Sequence, residues 1–416
     1  MKEEKKILIV VGGGAAGFFC AVNAARMNPM LQVIIVEKSN KVLSKVKVSG
    51  GGRCNVTHAC FEISELIKKY PRGQNFLKKA FHQFHTQHTI QWFEERGVKL
   101  KTEPDGRIFP ITDSSQTIID CLMKEANKYG VEIRMNRSVE KIEIQNSESE
   151  KQKKFKLHFS NAEFLDSDFL CIATGGYSKT SQFNWLKVLG HVIENPVPSL
   201  FTFNIPNNKI TSLMGISMEQ ATVKIQGTKL QQQGPVLITH WGLSGPAVLK
   251  LSAFAARELA DKNYHFAISV NWLNDYTENK LRDEWPLFRQ RFSSQKLIHK
   301  NPFLLPQRLW QYFLQESFIK EDTRWADITS KQQNALIKHL LNHEFEVKGK
   351  TTFKDEFVTC GGIKLSEIDA HTMQSKITEN VFFAGEVLDI DGITGGFNFQ
   401  NAWTSGWIAA KQIVAN

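Results

Sequence analysis

Everything else in the chain has to accommodate one stretch, residues 7–38, ILIVVGGGAAGFFCAVNAARMNPMLQVIIVEK. The apolar run Ile7 to Val11 reads as a buried parallel strand. Gly12-x-Gly14-x-x-Gly17 follows at once, then a small-residue helix from Ala15 to Met27. Asn28-Pro29 ends that helix, because proline cannot continue it. A second apolar run, Gln32 to Val36, leads to Glu37 and Lys38. Strand, glycine turn, helix, strand and acid stand in the order a dinucleotide site requires. Gly12 permits the tight turn and Gly14 lets the backbone approach a pyrophosphate. Gly17 lets the helix lie close to the strands. Ala15 and Ala16 open the helix, whose unpaired N–H groups attract the phosphates. Glu37, twenty residues beyond Gly17, suits both ribose hydroxyls and would repel a 2′-phosphate.

A chain of 416 residues has room for two or three domains. No apolar run approaches the roughly 20 residues of a membrane span. The N-terminal MKEEKK leads into a strand without the pattern of a signal peptide. The six cysteines, at 20, 54, 60, 121, 171 and 360, form no CxxC pair. That argues against zinc and a disulfide framework, and fits reduced thiols in a cytoplasm. No metal site is expected. The net charge of +10 allows two readings, a solvated basic surface or a polyanionic partner such as nucleic acid.

Ser49-Gly50-Gly51-Gly52-Arg53-Cys54-Asn55 is a second glycine-rich segment, read as a cofactor loop with Arg53 meeting phosphate. Residues 61–97 read as helical. His82, His85 and His88 recur three apart, as polar positions on the outer edge of an amphipathic helix. Lys101 to Ile111 reads as two short strands around Asp105-Gly106, and Ser114 to Tyr129 as a helix capped by Ser114 or Asp113. Strands are expected at 131–135, from Val139 to Ile144, from Lys154 to Phe159, and from Phe169 to Ala173. The last of these runs into Thr174-Gly175-Gly176, at the strand end where ligands bind in open parallel sheets.

Near Pro196 the pattern changes to β alternation with glycine and proline turns, and from Thr277 to His343 it becomes helical and aromatic. Phe357 to Leu365 and Val381 to Ala384 restore the first style. They lead to Gly385-Glu386 and then to Gly395-Gly396-Phe397-Asn398, with a final helix over 401–413. The expected organisation is a first part of a dinucleotide-binding domain at 1–195 and a β-barrel-like module at 196–275. A helical module at 276–355 and a completing part at 356–416 follow.

Taken together, VGGGAAG with Glu37, SGGGRCNVTH, THWGLSGPAVL, VTCGGI and GEVLDIDGITGGFNFQNAWTSG resemble a bacterial FAD flavoprotein family called BaiN-like, YhiN-like or aminoacetone-oxidase-like. Departures are small: Cys360 stands where small residues are usual, and Phe397 and Phe399 replace a more common Tyr and Leu. The resemblance implies an α/β fold, a Rossmann-like FAD-binding domain with an inserted β-barrel plus helical module. It implies FAD as resident cofactor. Gly385 and Glu386 would lie at the ribityl chain and pyrophosphate. Gly395, Gly396, Phe397 and Asn398 would lie beside the isoalloxazine. Val139, Thr174, Gly175 and Lys38 join the expected cofactor-binding set.

Activities in such a family include reduction of conjugated C=C bonds, amine oxidation and reduction of a uracil in ribosomal RNA. No second GxGxxG occurs, so NAD(P)H would serve only as a transient electron donor. The leading expectation is a reductase passing hydride from reduced flavin to a polarised C=C bond, with Cys54 as proton donor. The alternatives are an RNA-binding flavoenzyme acting on a uracil base and a flavin amine oxidase. The partner is a small molecule or ribosomal RNA, with no membrane partner; the oligomeric state is left open.

Overall fold

The computed structural model describes residues 5–146, 153–352 and 358–416. The strand tips around NSESEKQKK and the start of the 356–416 part fall partly outside them. Two compact units result, one of residues 1–199 with 354–416 and one of residues 200–353.

The first unit is built on a parallel sheet. Strand β1 (Ile7–Val11) lies between β2 (Gln32–Val36) and the strand Phe169–Ile172. Glu132–Arg134 extends the sheet beyond β2, and Val381–Phe383 extends it beyond Phe169–Ile172. The central strands of this sheet read as near-continuous apolar runs, as expected of a parallel sheet covered on both faces. The chain leaves β1 toward one edge and later returns on the other side. The carboxyl end of β1 is therefore the topological switch point, where such sheets bind ligands.

Helix α1 (Ala15–Met27) follows β1 and is buried from Ala16 to Ala25. The last helix runs over Phe397–Ala415, four residues earlier than the sequence suggests, because left-handed Gly396 opens it. It packs directly on α1: a Cβ on Gly406 would come 2.6 Å from the Ala16 carbonyl oxygen. The C-terminal residues thus complete the core that the N-terminal residues begin.

The stretch NFLKKAFHQFHTQHTIQWFEERG, which reads as one helix, forms two, Gln74–Phe81 and Thr86–Glu94. His85 and His88 do not share a helical face with His82. They form a reciprocal cap at the start of the helix Thr86–Glu94. Ser114 caps the helix Ser115–Lys128. Ile193–Ser199 and Val358–Ile363 pair antiparallel in this unit.

The second unit holds a seven-stranded antiparallel sheet. Its edge strands, His343–Lys348 and Lys350–Thr351, are consecutive in the chain and separated only by Gly349. The Gly349 carbonyl accepts from Asn204 N–H while its own N–H donates to Tyr264 O, so the sheet curls toward closure like a barrel. The helices Glu278–Arg291, Gln307–Glu316 and Ser330–Leu341 complete the unit. Trp272, Trp285, Trp310 and Trp325 are buried among them, so these aromatics serve as core. Among the described residues no helix is long and apolar enough to cross a membrane.

Candidate cofactor site

The glycine turn after β1 shows what each position does. A Cβ on Gly12, whose φ is +116°, would sit 2.4 Å from Ala173 O, at the end of the neighbouring strand. A Cβ on Gly17 would sit 2.0 Å from Gly12 O. Gly12 and Gly17 are therefore fixed by the protein's own packing. Gly14 differs, since a Cβ there meets nothing within 4 Å. The turn is open at Gly14, the position expected to face a pyrophosphate. Gly14 is also the N-cap of α1, and no side chain caps it. Among the described residues the first N–H groups of α1 have no side-chain partner at the switch point, where an anion is stabilised by the helix dipole.

Glu37 sits half-buried at the end of β2. Its Oε2 accepts from Gly13 N–H (2.8 Å), and Oε1 accepts from the N–H and hydroxyl of Ser39 (both 2.9 Å). These bonds orient the carboxylate and tie it to the glycine turn. Gly13 was not singled out by the sequence pattern, yet a Cβ there would come 2.8 Å from Val42. Lys38 is exposed, its Nζ 5.5 Å from the Tyr177 ring centre. Val139 begins the strand Val139–Asn146. It lies two residues beyond Arg137, whose N–H donates to Glu37 O (2.8 Å). Glu37→Ala is expected to weaken FAD binding tenfold or more, as charge-assisted bonds of about 1.5–3 kcal/mol each are lost. Titration of the apoprotein checks this, and the bound flavin's visible spectrum should be unchanged.

A third cluster joins Thr174, Gly175 and Glu386. Glu386 accepts from Thr359 N–H (2.8 Å) and pairs with Lys45 (2.7 Å). A Cβ on Gly176 would come 2.8 Å from Glu386 Oε1, and one on Gly175 3.8 Å from Oε2. Gly385 N–H donates to the buried Ser405 hydroxyl (2.8 Å), and a Cβ on Gly385 would come 2.8 Å from that of Ala16. The Gly385-Glu386 segment therefore lies against the start of α1. The Thr359 hydroxyl beside Gly176 is buried with no partner among the described residues.

The second glycine segment is partly helical. Ser44–Gly52 begins as a helix and breaks at Ser49, with Gly50 and Gly51 left-handed. Cβ atoms on Gly51 and Gly52 would meet nothing within 4 Å. Two expectations for this segment need correction. Arg53 does not hold its charge ready for a phosphate. Its Nη1 donates to Glu103 (2.6 Å), Asp113 lies 3.6 Å away, and its guanidinium lies over the Phe109 ring. Cys54 is wholly buried, with φ of 59°. Burial pushes its thiol up to about 12, only partly offset by a hydrogen bond with Ser49. A thiol so buried and so weakly acidic is poorly suited to hand a proton to a substrate. Cys54→Ala is accordingly expected to change substrate reduction by less than about twofold, against the 100-fold or more expected of a general acid. Stopped-flow measurement of the two half-reactions checks it.

Asn55 joins the two ends of the chain. With both amide atoms satisfied, it donates to Thr57 O (2.9 Å) and accepts from Gly396 N–H (3.0 Å). Gly396, at φ +93°, has room for no side chain, since a Cβ would lie 2.7 Å from the Thr57 backbone. Thr57 donates to Gln400 Oε1 (2.6 Å), and the Trp403 indole donates to Val56 O (2.9 Å). These buried bonds lock the 54–58 segment onto the last helix. Gly395 O accepts from His58 Nδ1 (3.1 Å), which places the proton of a neutral ring on Nδ1. The half-exposed His58 ring packs 4.7 Å from that of Phe397. Phe397 is buried. The Asn398 amide brackets Gly392, accepting from its N–H (2.8 Å) and donating to its carbonyl (2.9 Å). Among the described residues no side chain caps this helix either.

These residues fit FAD. Two helix N-termini without side-chain caps, an open turn at Gly14 and an oriented carboxylate at Glu37 are what a dinucleotide joined to an electron-rich ring requires. Sequence reading missed Gly13, Ser39, His58, Ser405 and Gly406. Only the GGG run and the His closing SGGGRCNVTH carried a local signal.

Residues 6–412 match the family model described as HI0933-like protein Rossmann domain. The chain is 29% identical over 409 residues to a ribosomal RNA dihydrouridine synthase of Escherichia coli, covering 96% of each protein. It is 28% identical over 406 residues to one of Haemophilus influenzae, covering 95% of this chain and 96% of that protein. It is 24% identical over 403 residues to a 3-dehydro-bile acid delta(4,6)-reductase of Clostridium scindens, again covering 95% and 96%. The chain belongs to the HI0933-like Rossmann family of FAD-dependent oxidoreductases.

Proposed function

We propose that this enzyme reduces a C=C bond polarised by a neighbouring carbonyl, and that its substrate is a uracil base in ribosomal RNA. The observation that carries the reading is the end-to-end likeness to two proteins named as ribosomal RNA dihydrouridine synthases, at 28% and 29% identity. The net charge of +10 suits a phosphate-rich partner. Uracil also carries the required bond, a C5=C6 double bond conjugated with the C4 carbonyl.

Bound FAD would supply the hydride. The protein's part is to hold and orient it. Gly12, Gly14 and Gly17 with α1 would cradle the pyrophosphate. Glu37, fixed by Gly13 and Ser39, would take the adenosine ribose. Gly385 and Glu386, with Thr174 and Gly175, would flank the ribityl chain. The Gly395–Asn398 turn, pinned by Asn55 and His58, would present helix N–H groups to the ring. NAD(P)H is proposed as a transient electron donor, and the cytoplasm as the compartment.

The likeness to the bile acid reductase favours a second reading, a small conjugated enone as acceptor. The deciding experiment mixes anaerobically reduced enzyme with protein-free ribosomal RNA, and separately with a steroid enone. The first reading expects rapid flavin re-oxidation by RNA alone. Re-oxidation by the enone alone would overturn it.

A further inference from the structure

Four contacts bring residues 69–73 against residues 390–397, just ahead of the turn assigned to the flavin ring. Lys69 O accepts from Ile393 N–H (2.9 Å), and the Tyr70 hydroxyl donates to Phe397 O (2.7 Å). A Cβ on Gly73 would come 2.7 Å from the Ile390 side chain. Arg72 meets Asp391 through two nitrogens, Nε on Oδ1 and Nη2 on Oδ2. Ser199 adds a third bond, its hydroxyl donating to Asp391 Oδ2 (2.6 Å).

Asp391 is wholly buried. Burial, the largest influence, holds its carboxyl above the usual range, and Arg72 and then Ser199 offset that only in part. A buried carboxylate is tolerated only with such partners. Its position matters here. It stands five residues before Gly396, on the loop that delivers the last helix to its place. A negative charge left unpaired there would oppose the charge that a flavin gains on reduction, and the loop would lose its fork.

We propose that Arg72 is a positioning residue for the flavin. It fixes the 390–396 loop through the planar two-point contact and cancels the charge of Asp391, so that the N–H groups ahead of the last helix face a neutral background. The proposal rests on placing the flavin ring at Gly395–Asn398.

The test compares full-length Arg72→Gln, Arg72→Lys, Asp391→Asn and the double variant Arg72→Gln/Asp391→Asn. FAD dissociation constants and flavin midpoint potentials are the two readouts. Arg72→Gln should weaken oxidised FAD at least tenfold. It should weaken the reduced form a further tenfold, seen as a potential lower by about 30 mV for a two-electron couple. The double variant, neutral on both sides, should bring the potential back toward the parent. Arg72→Lys keeps the charge without the fork, so it should hold the potential while losing affinity. If Arg72→Gln does not accumulate as folded protein, Arg72→Lys and Asp391→Asn carry the test: the first should hold the parent potential at weakened affinity, and the second, leaving the Arg72 charge unopposed, should raise the potential above the parent. A parent that binds FAD, with variants unchanged in affinity and potential, overturns the proposal. So does a double variant with a potential no higher than that of Arg72→Gln. A parent that takes up no FAD overturns the site assignment first and the proposal with it.

Discussion

Gly14→Ala is expected to leave the apoprotein folded and to weaken FAD binding about 100-fold or more. The added methyl meets no protein atom within 4 Å. The backbone at Gly14, φ −92° and ψ −171°, is open to any residue. The cost to the fold is therefore that of a poorer N-cap, about 1 kcal/mol. The cost to the ligand is larger. A methyl in the path of the pyrophosphate displaces it from the N–H groups of α1. Two charge-assisted bonds of about 1.5 kcal/mol or more each then account for the 100-fold loss. Gly17→Ala gives the contrast. Its methyl would overlap Gly12 O at 2.0 Å, so both the fold and FAD binding should suffer. Apoprotein melting and FAD titration separate the two. Unaltered FAD affinity in Gly14→Ala would place the pyrophosphate elsewhere.

The second large effect concerns RNA. The basic residues Arg289, Arg291, Lys296, Lys300 and Arg308 recur along the second unit, but they are not equivalent. Arg289 donates to Ala326 O (2.6 Å) and Arg308 to Ser212 O (2.8 Å), so reversing either would disturb the unit itself. Arg291 and Lys300 instead flank the Phe292 ring, at 5.3 and 4.8 Å. The informative variant is Arg291→Glu with Lys296→Glu and Lys300→Glu. If these three meet phosphates, the slope of log affinity against log salt should fall by roughly 2–3, at about 0.7–0.9 per contact. FAD content should stay normal. A wild type whose RNA binding ignores salt, or a variant with the parent slope, would reduce these residues to a solvated face.

Local structure was legible where sequence and geometry are local. β1, the glycine turn, α1 and β2 follow one another in about thirty residues, and the periodicity change at Gly12 marks the turn. The helix break at Phe81 was not legible, because the histidines that cap the next helix also continue the amphipathic spacing. The helical opening of 44–52 was hidden by the three glycines that end it. The early start of the last helix depends on left-handed Gly396, a conformation set by packing on Thr57 some 340 residues away. The pairing of Arg72 with Asp391 arises only when two segments 319 residues apart in the chain meet. No spacing within either segment encodes it.

The most direct measurement of the central claim is nucleoside mass analysis of ribosomal RNA after a single anaerobic turnover with fully reduced enzyme. The expected product is a uridine that has gained two hydrogens, in an amount matching the flavin re-oxidised, with no such product from Gly14→Ala. Flavin that stays reduced in the presence of RNA, or is re-oxidised without a saturated uridine, would contradict it.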